Sequence, residues 1–259
     1  MSFESTIQIK VDDIVGAAQQ FREVMGERKV VRLIPDRKPS DLRSFYDSLV
    51  EAIGNPVAIA EDYATGGAPT GDRWSEIGFR EDVPDDVAFR HSRNAQPLHT
   101  DESYVSEMAG VMFFYCASAA SSGGETVFVD GPALVDHLRE TQPALLEQLL
   151  TNDITYSKAD DAKTRPIIAI GDDGNPTFNF NYFCADPEQS EEALQLNKEF
   201  HEFLENDLPD ELQHPVGLNP GESVAWKDSL VLHGRNAFQA EKTGDRLIWK
   251  AGIEIDSMV

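Results

Sequence analysis

Apolar and polar residues recur along this chain with two periods, and the points where one gives way to the other mark the elements. "TIQIKV" (6–11) alternates as a half-buried strand does. "DDIVGAAQQFREVMGE" (12–27) has helical spacing and stops near Gly26, and "VVRLI" (30–34) predicts a second strand. "PSDLRSFYDSLVEAIG" (39–54) predicts a helix with Ser40 as N-cap and Gly54 at its stop, followed by a strand at "PVAIA" (56–60). From Gly110 the chain turns β-rich. "GVMFFYCA" (110–117) is a continuous apolar run, "SSGG" a turn and "ETVFVD" (125–130) a strand. "PALVDHLRETQPALLEQLL" (132–150) predicts one amphipathic helix opened by Pro132. "RPIIAIGDDGNPTFNFNY" (165–182) predicts a hairpin around Asp172, Asp173 and Gly174. "SEEALQLNKEFHEFLENDL" (190–208) predicts a helix whose acidic start suits its dipole, and "SVAWKDSLVLHGR" (223–235) and "RLIWKAGIEI" (246–255) predict the last strands.

A short αβ opening followed by many strands with two inserted helices predicts a mostly β fold with flanking helices. The matching architecture is a β-sandwich or jelly roll, in a single domain over residues 1–259. Residues 62–98 break the rhythm: they are polar, irregular and punctuated by Gly and Pro. A loop this long in a compact domain is more often functional than idle.

Composition narrows the partners. Hydrophobic residues make up 41% and aromatic residues 9%, enough for a folded core. The net charge is -24, from 46 acidic against 22 basic residues, so phosphate backbones and anionic lipid are repelled. Nucleic acid and membrane surface are therefore not expected partners, and a small-molecule partner is. Two cysteines, Cys116 and Cys184, make no disulfide framework and suit a reducing compartment. "MSFESTIQIKVDD" has neither a basic nor an apolar leader region, and no apolar run approaches the roughly 20 residues that span a bilayer. A cytoplasmic protein is expected, with a homodimer as the default assembly.

The candidate chemistry lies in "QPLHTDESY" (96–104), which sets His99 and Asp101 two apart. On an extended segment, residues i and i+2 share a face, so the pair would project together with Thr100 turned away. Read alone, His-x-Asp is also explained by a polar turn that caps a strand. His233 follows the apolar run "SLVL" at the end of a predicted core strand and is the best third ligand. His137 and His201 fall inside amphipathic helices, His91 in the irregular loop and His214 before Pro215, all weaker positions. Two histidines and one carboxylate that leave open positions suit non-haem Fe(II). Thr126 after a glycine turn and Arg246, thirteen residues beyond His233, offer a hydroxyl and a guanidinium fork that together would clamp a carboxylate.

In "LHTDESY", "GGETVFVD", "GESVAWKDSLVLHGRNAF" and "DRLIWKAGIEI", the chain resembles the TauD/TfdA-like, clavaminate-synthase-like Fe(II)/2-oxoglutarate dioxygenases. These stretches stand in the family's order over residues 96–255, and residues 1–60 match only as an αβ lead-in. The resemblance implies a distorted double-stranded β-helix, a cupin-like jelly-roll core. It implies that His99, Asp101 and His233 hold iron and that Thr126 and Arg246 hold the far carboxylate of 2-oxoglutarate, with O2 as the second cosubstrate. Family members that halogenate have Gly or Ala where Asp101 stands, so Asp101 implies hydroxylation. Arg235 is close enough to His233 in sequence to orient it or to play a structural part.

For the substrate, the expected contacts come from the loop before His99 and from the 178–182 strand: Arg73, Trp74, Asn94, Glu102, Asn179 and Asn181, with Trp249 walling the cavity. Groups of both signs suit a small zwitterion, a free amino acid, with a basic one such as lysine favoured. A small organic acid, sulfonate, phosphonate or carrier-tethered amino acid is the alternative substrate. The alternative of another class is a cupin-type small-molecule binding protein, which would need neither Thr126 nor Arg246.

Overall fold

The computed structural model describes residues 2–58, 71–85, 89–101, 103–106 and 109–255. The lead-in runs β1 (Ser2–Ile9), α1 (Ile14–Glu27), β2 (Arg28–Pro35), α2 (Leu42–Ile53) and β3 (Asn55–Val57). The crossover through α1 makes β1 and β2 parallel, which a tight turn could not do. After β4 (Ser75–Gly78) and β5 (Gln96–His99) come β6 (Val111–Ser118) and β7 (Thr126–Asp130). An insertion follows: α3 (Gly131–Thr141), α4 (Pro143–Thr151), β8 (Asp153–Lys158), β9 (Asp161–Pro166), β10 (Ile168–Ile170), β11 (Pro176–Phe178) and α5 (Glu191–Asn206). The chain closes with β12 (Gln213–Val216), β13 (Ser223–Lys227), β14 (Val231–Arg235) and β15 (Leu247–Glu254).

Two sheets face each other. The larger has the order β1-β2-β13-β6-β15-β3, with β4 also on β15, and the smaller has the order β12-β7-β14-β5. The continuous apolar run of β6 is explained by its central place, because both of its faces are buried. Phe113 and Tyr115 pack outward beneath α1 and α2, while Met112, Phe114 and Cys116 pack inward on Phe128, Trp226 and Val231. On the far side of the small sheet, Leu98, Val129 and Leu232 are covered by the helices and hairpins of the insertion.

Three sequence expectations change in detail. The helix expected over 132–150 is two helices, because Pro143 pushes Gln142 out of the helical region (φ -138, ψ 54) and opens a new helix. The N-cap of α2 is Asp41 rather than Ser40, its carboxylate accepting from the Ser44 N–H at 3.0 Å. The segment 223–235 is not one strand: a 3-10 turn over Asp228–Leu230 carries the chain from the large sheet to the small one. Of the strand expected at 56–60, residues 59 and 60 lie outside the described residues. No helix among the described residues is long and apolar enough to cross a membrane.

Candidate metal centre and cosubstrate cavity

The site forms where β14 meets β5. His233 and His99 are register partners, with ring centroids 4.3 Å apart. The register then shifts so that Arg235 pairs with Gln96. Gly234 permits this, because a Cβ there would lie 2.6 Å from the Gln96 carbonyl. β5 stops at His99, so Asp101 stands in a turn rather than on the extended strand expected from the sequence. Thr100 fixes that turn: its N–H donates to the Phe180 carbonyl at 2.7 Å, and its hydroxyl accepts from the Phe180 N–H at 3.0 Å.

His99, Asp101 and His233 each offer one ligand atom, and these atoms lie within 4.8 Å of one another. Nε2 of His99 is 3.9 Å from Asp101 Oδ1, and Nε2 of His233 is 3.6 Å from Asp101 Oδ2. With Nδ1 of His99 donating to the Pro97 carbonyl at 2.9 Å, the lone pair falls on Nε2, facing Asp101; the Gln96 amide nitrogen lies 3.1 Å from it. Burial lowers the pKa of both imidazoles, that of His233 well below its ordinary value, so both are neutral and able to ligate at pH 7. Burial alone would raise the Asp101 carboxyl, but the Lys250 ammonium beside it pulls the pKa well below the usual carboxylate range and keeps the group ionised. Two neutral imidazoles and one ionised carboxylate, gathered in a buried cleft, fit a divalent transition metal.

Behind His233 stands Asp228, fully buried, with Oδ1 3.4 Å from His233 Nδ1 and accepting from the Trp226 indole N–H at 2.9 Å. Nδ1 has no hydrogen-bond partner among the described residues, and the nearby carboxylate stands where it would stabilise positive charge drawn onto the ring when Nε2 binds a metal. Asp228→Asn is expected to weaken divalent metal affinity by about 10- to 100-fold while the fold persists, as read by chelator competition. An unchanged affinity would mean that the His233 ring is held by packing alone.

The same cavity is lined by Thr126, Arg235 and Arg246, all buried. Thr126 opens β7 directly opposite Arg235. Arg246 Nη2 donates to the Gly124 carbonyl at 3.1 Å, and its buried Nη1 has no hydrogen-bond partner among the described residues. Arg235 Nη2 donates to the carbonyls of Phe89 (2.9 Å), Ser92 (2.9 Å) and Asn94 (2.7 Å), tying the 89–94 segment to β14. Its Nε and Nη1 are likewise buried and without such a partner. The Phe238 ring lies 5.1 Å from one guanidinium and 5.0 Å from the other. Burial lowers their pKa values, to about 9 for Arg235, where Arg246 adds to the effect, and to about 10 for Arg246. Both remain charged near neutral pH. Buried N–H groups without an acceptor are costly, and a carboxylate is the acceptor that matches them.

The expected substrate residues divide differently. Arg73, Trp74 and Trp249 are not brought to the triad: they line a separate outer cavity of about 580 Å³ with Arg43, Asp47 and Glu51. Trp249 and Lys250 are adjacent on a strand and therefore point to opposite faces, Trp249 toward the helices. There Arg43 stacks 3.9 Å from the Trp249 ring centroid, Trp74 donates to Asp47 at 2.6 Å and Arg73 pairs with Glu51. Asn94 is exposed, its amide donating to the Asp85 carbonyl, and Asn181 caps the Tyr182–Cys184 turn. Asn179 is fully buried, and neither polar atom of its amide has a hydrogen-bond partner among the described residues. Glu102 lies outside the described residues. The residue that sequence reading missed is Lys250, whose Nζ lies 2.6 Å from Asp101 Oδ1 inside the cavity. The signal was available, because residues 246, 248 and 250 share one face of an extended segment.

Comparison with known proteins places this geometry in a family. The chain matches gamma-butyrobetaine dioxygenase of Pseudomonas sp. (strain AK-1) at 25% identity over 170 residues, covering 63% of this chain and 44% of that protein. It matches the Homo sapiens gamma-butyrobetaine dioxygenase at 23% identity, covering 55% of this chain and 40% of that protein, so the matched region spans less than half of each relative. Among solved structures, an asparagine oxygenase in complex with Fe(II), 2S,3S-3-hydroxyasparagine and succinate superposes with a TM-score of 0.70 at 13% identity, over 94% of this chain and 80% of that one. PvcB from Pseudomonas aeruginosa superposes with a TM-score of 0.67 at 19% identity, over 97% and 86%. These two structures establish likeness of fold. The family model described as "Taurine catabolism dioxygenase TauD, TfdA family" matches residues 7–251, nearly the whole chain, and the protein belongs to that family.

Proposed function

We propose that the protein is a one-domain, cytoplasmic, non-haem Fe(II)/2-oxoglutarate-dependent dioxygenase that hydroxylates an unactivated C–H bond of a small substrate carrying a carboxylate, a free amino acid above all. The observation that carries this reading is a single cavity lined both by His99, Asp101 and His233 and by Thr126 and Arg246. The two facing sheets around it suit the distorted double-stranded β-helix expected from the sequence. A structural zinc site would use four protein ligands, usually with cysteine; among the described residues three converge here, and neither Cys116 nor Cys184 is one of them.

Iron, when bound, would supply dioxygen activation coupled to oxidation of 2-oxoglutarate to succinate and carbon dioxide. Thr126 and Arg246 fix the cosubstrate's far carboxylate, and the buried walls exclude bulk water from the reacting end. Lys250 stands four residues from Arg246, roughly 13 Å along an extended chain, and its ammonium lies beside the metal-ligand carboxylate, 2.6 Å from Asp101 Oδ1. An ammonium in that place suits the carboxylate of a second, smaller molecule. Among the described lining residues Asp101 is the single carboxylate, against three cations, Arg235, Arg246 and Lys250. A basic substrate such as lysine would need a further carboxylate for its side chain, and Glu102 is the residue placed in sequence to supply one.

The test is anaerobic. Apo-protein with Fe(II) and 2-oxoglutarate is expected to develop the weak visible charge-transfer band of a chelated metal, and one member of a panel of amino acids, sulfonates and phosphonates is expected to shift it. Absence of any band would refute the reading. Lys250→Met is expected to leave the band with 2-oxoglutarate in place and to weaken binding of the band-shifting compound by about 10- to 100-fold. Equal affinity in the variant would assign Lys250 to Asp101 alone.

A further inference from the structure

Behind the carboxylate clamp lies a second cavity of about 310 Å³ that shares Thr126 and Arg246 with the iron-ligand cavity. Its floor is buried: Cys116, Thr126, Arg246 and Ile248. Its rim is exposed and comes from two separate connections, Ala119 and Ser122 from one and Gly217 and Asn219 from the other. It is therefore a funnel from solvent to the guanidinium. The turn over that floor is thin by construction. Gly124 has φ +80, and a Cβ there would come within 2.9 Å of Arg246 Nε, so only a bare backbone lies against the guanidinium at this point. Arg246 Nη2 is held by the Gly124 carbonyl while Nη1 has no hydrogen-bond partner among the described residues, so the clamp faces both cavities with one N–H group uncommitted.

We propose that the rear funnel is the doorway through which the 2-oxo dicarboxylate reaches Arg246 and through which its shortened dicarboxylate product leaves, independently of the primary substrate. This rests on the oxygenase reading above and adds a route to it. A doorway has a kinetic signature that a binding wall lacks: narrowing it slows entry and exit together and leaves the equilibrium constant in place.

Gly217 suits the test because an added Cβ would meet only Glu125 Cγ, at 3.6 Å, and its backbone is not in the left-handed region. Gly217→Trp and, on the other connection, Ala119→Trp are compared with wild type and Gly217→Ala by anaerobic stopped-flow of the Fe(II)–2-oxoglutarate band, with thermal unfolding confirming the fold of each. Both tryptophan variants are expected to associate and dissociate about tenfold more slowly, with the dissociation constant moved less than about threefold. Wild-type rates in either folded variant overturn the doorway, as does weaker binding caused by faster release. If one variant fails to fold, the other decides on the same terms. Smaller replacements, Gly217→Leu and Ala119→Leu, decide if both fail. Absence of the band in the wild-type protein would instead refute the oxygenase reading, so the two failures are distinguishable.

Discussion

Asp101→Gly is expected to lower hydroxylation at least about a thousandfold, the equivalent of roughly 4 kcal/mol of lost transition-state stabilisation. The reason is electrostatic as much as geometric. Asp101 is the single carboxylate among the described residues lining the cavity, which Lys250, Arg235 and Arg246 also line, and Lys250 Nζ lies 2.6 Å from its Oδ1. Without it, the imidazoles of His99 and His233 would have to hold a divalent cation beside the Lys250 ammonium, in a buried cavity whose other charged lining groups, Arg235 and Arg246, are also positive. Metal uptake is therefore expected to fall together with turnover, which separates this result from a defect in substrate placement. Measuring Fe(II) bound per chain and succinate formed, with and without added halide, tests both. Undiminished hydroxylation in Asp101→Gly would remove Asp101 from the ligand set.

The sequence carried the chemistry of the site more fully than its surroundings. The spacing of His99 and Asp101 and the strand-end position of His233 predict their convergence, which the structure shows as a group able to hold a metal, and Thr126 and Arg246 line the same cavity. The inserted element over 132–150 was legible as helical but not as broken, since periodicity continues across Gln142 and only the local clash before Pro143 interrupts it. The β8–β9 hairpin was missed because β8 offers only the short alternation of Ile154 and Tyr156, and β9, "DAKTRP", has no buried residue and no apolar alternation. Substrate residues were the least legible. Loop position suggested Arg73 and Trp74, and aromatic character suggested Trp249, but strand parity turns Trp249 to the helix side and brings Lys250 in. Which face of a strand lies inward is a property of the whole sheet, and period-two reasoning gives it only once one inward residue is known. Arg246 was that residue.

Arg246→Ala is expected to raise the KM for 2-oxoglutarate by about 30-fold to several thousandfold while kcat at saturation falls far less. The range corresponds to about 2–5 kcal/mol for removing one partner of a buried, hydrogen-bonded charge pair. The guanidinium is almost wholly buried, at 4% exposure, and its Nη1 has no hydrogen-bond partner among the described residues. Its desolvation is therefore only partly compensated, by the Gly124 carbonyl and the Phe238 ring, until an anion arrives, and the anion it fits is planar and bidentate. Arg246→Lys keeps the charge and loses the fork, so an intermediate KM is expected and would distinguish charge from geometry. Anaerobic titration of the Fe(II)-loaded variant should show the same weakening without any turnover. An unchanged KM in Arg246→Ala would transfer the carboxylate to Arg235, whose own buried Nε and Nη1 face the same cavity opposite Thr126. In that event Arg235→Lys, and not the Arg246 variants, would weaken 2-oxoglutarate binding.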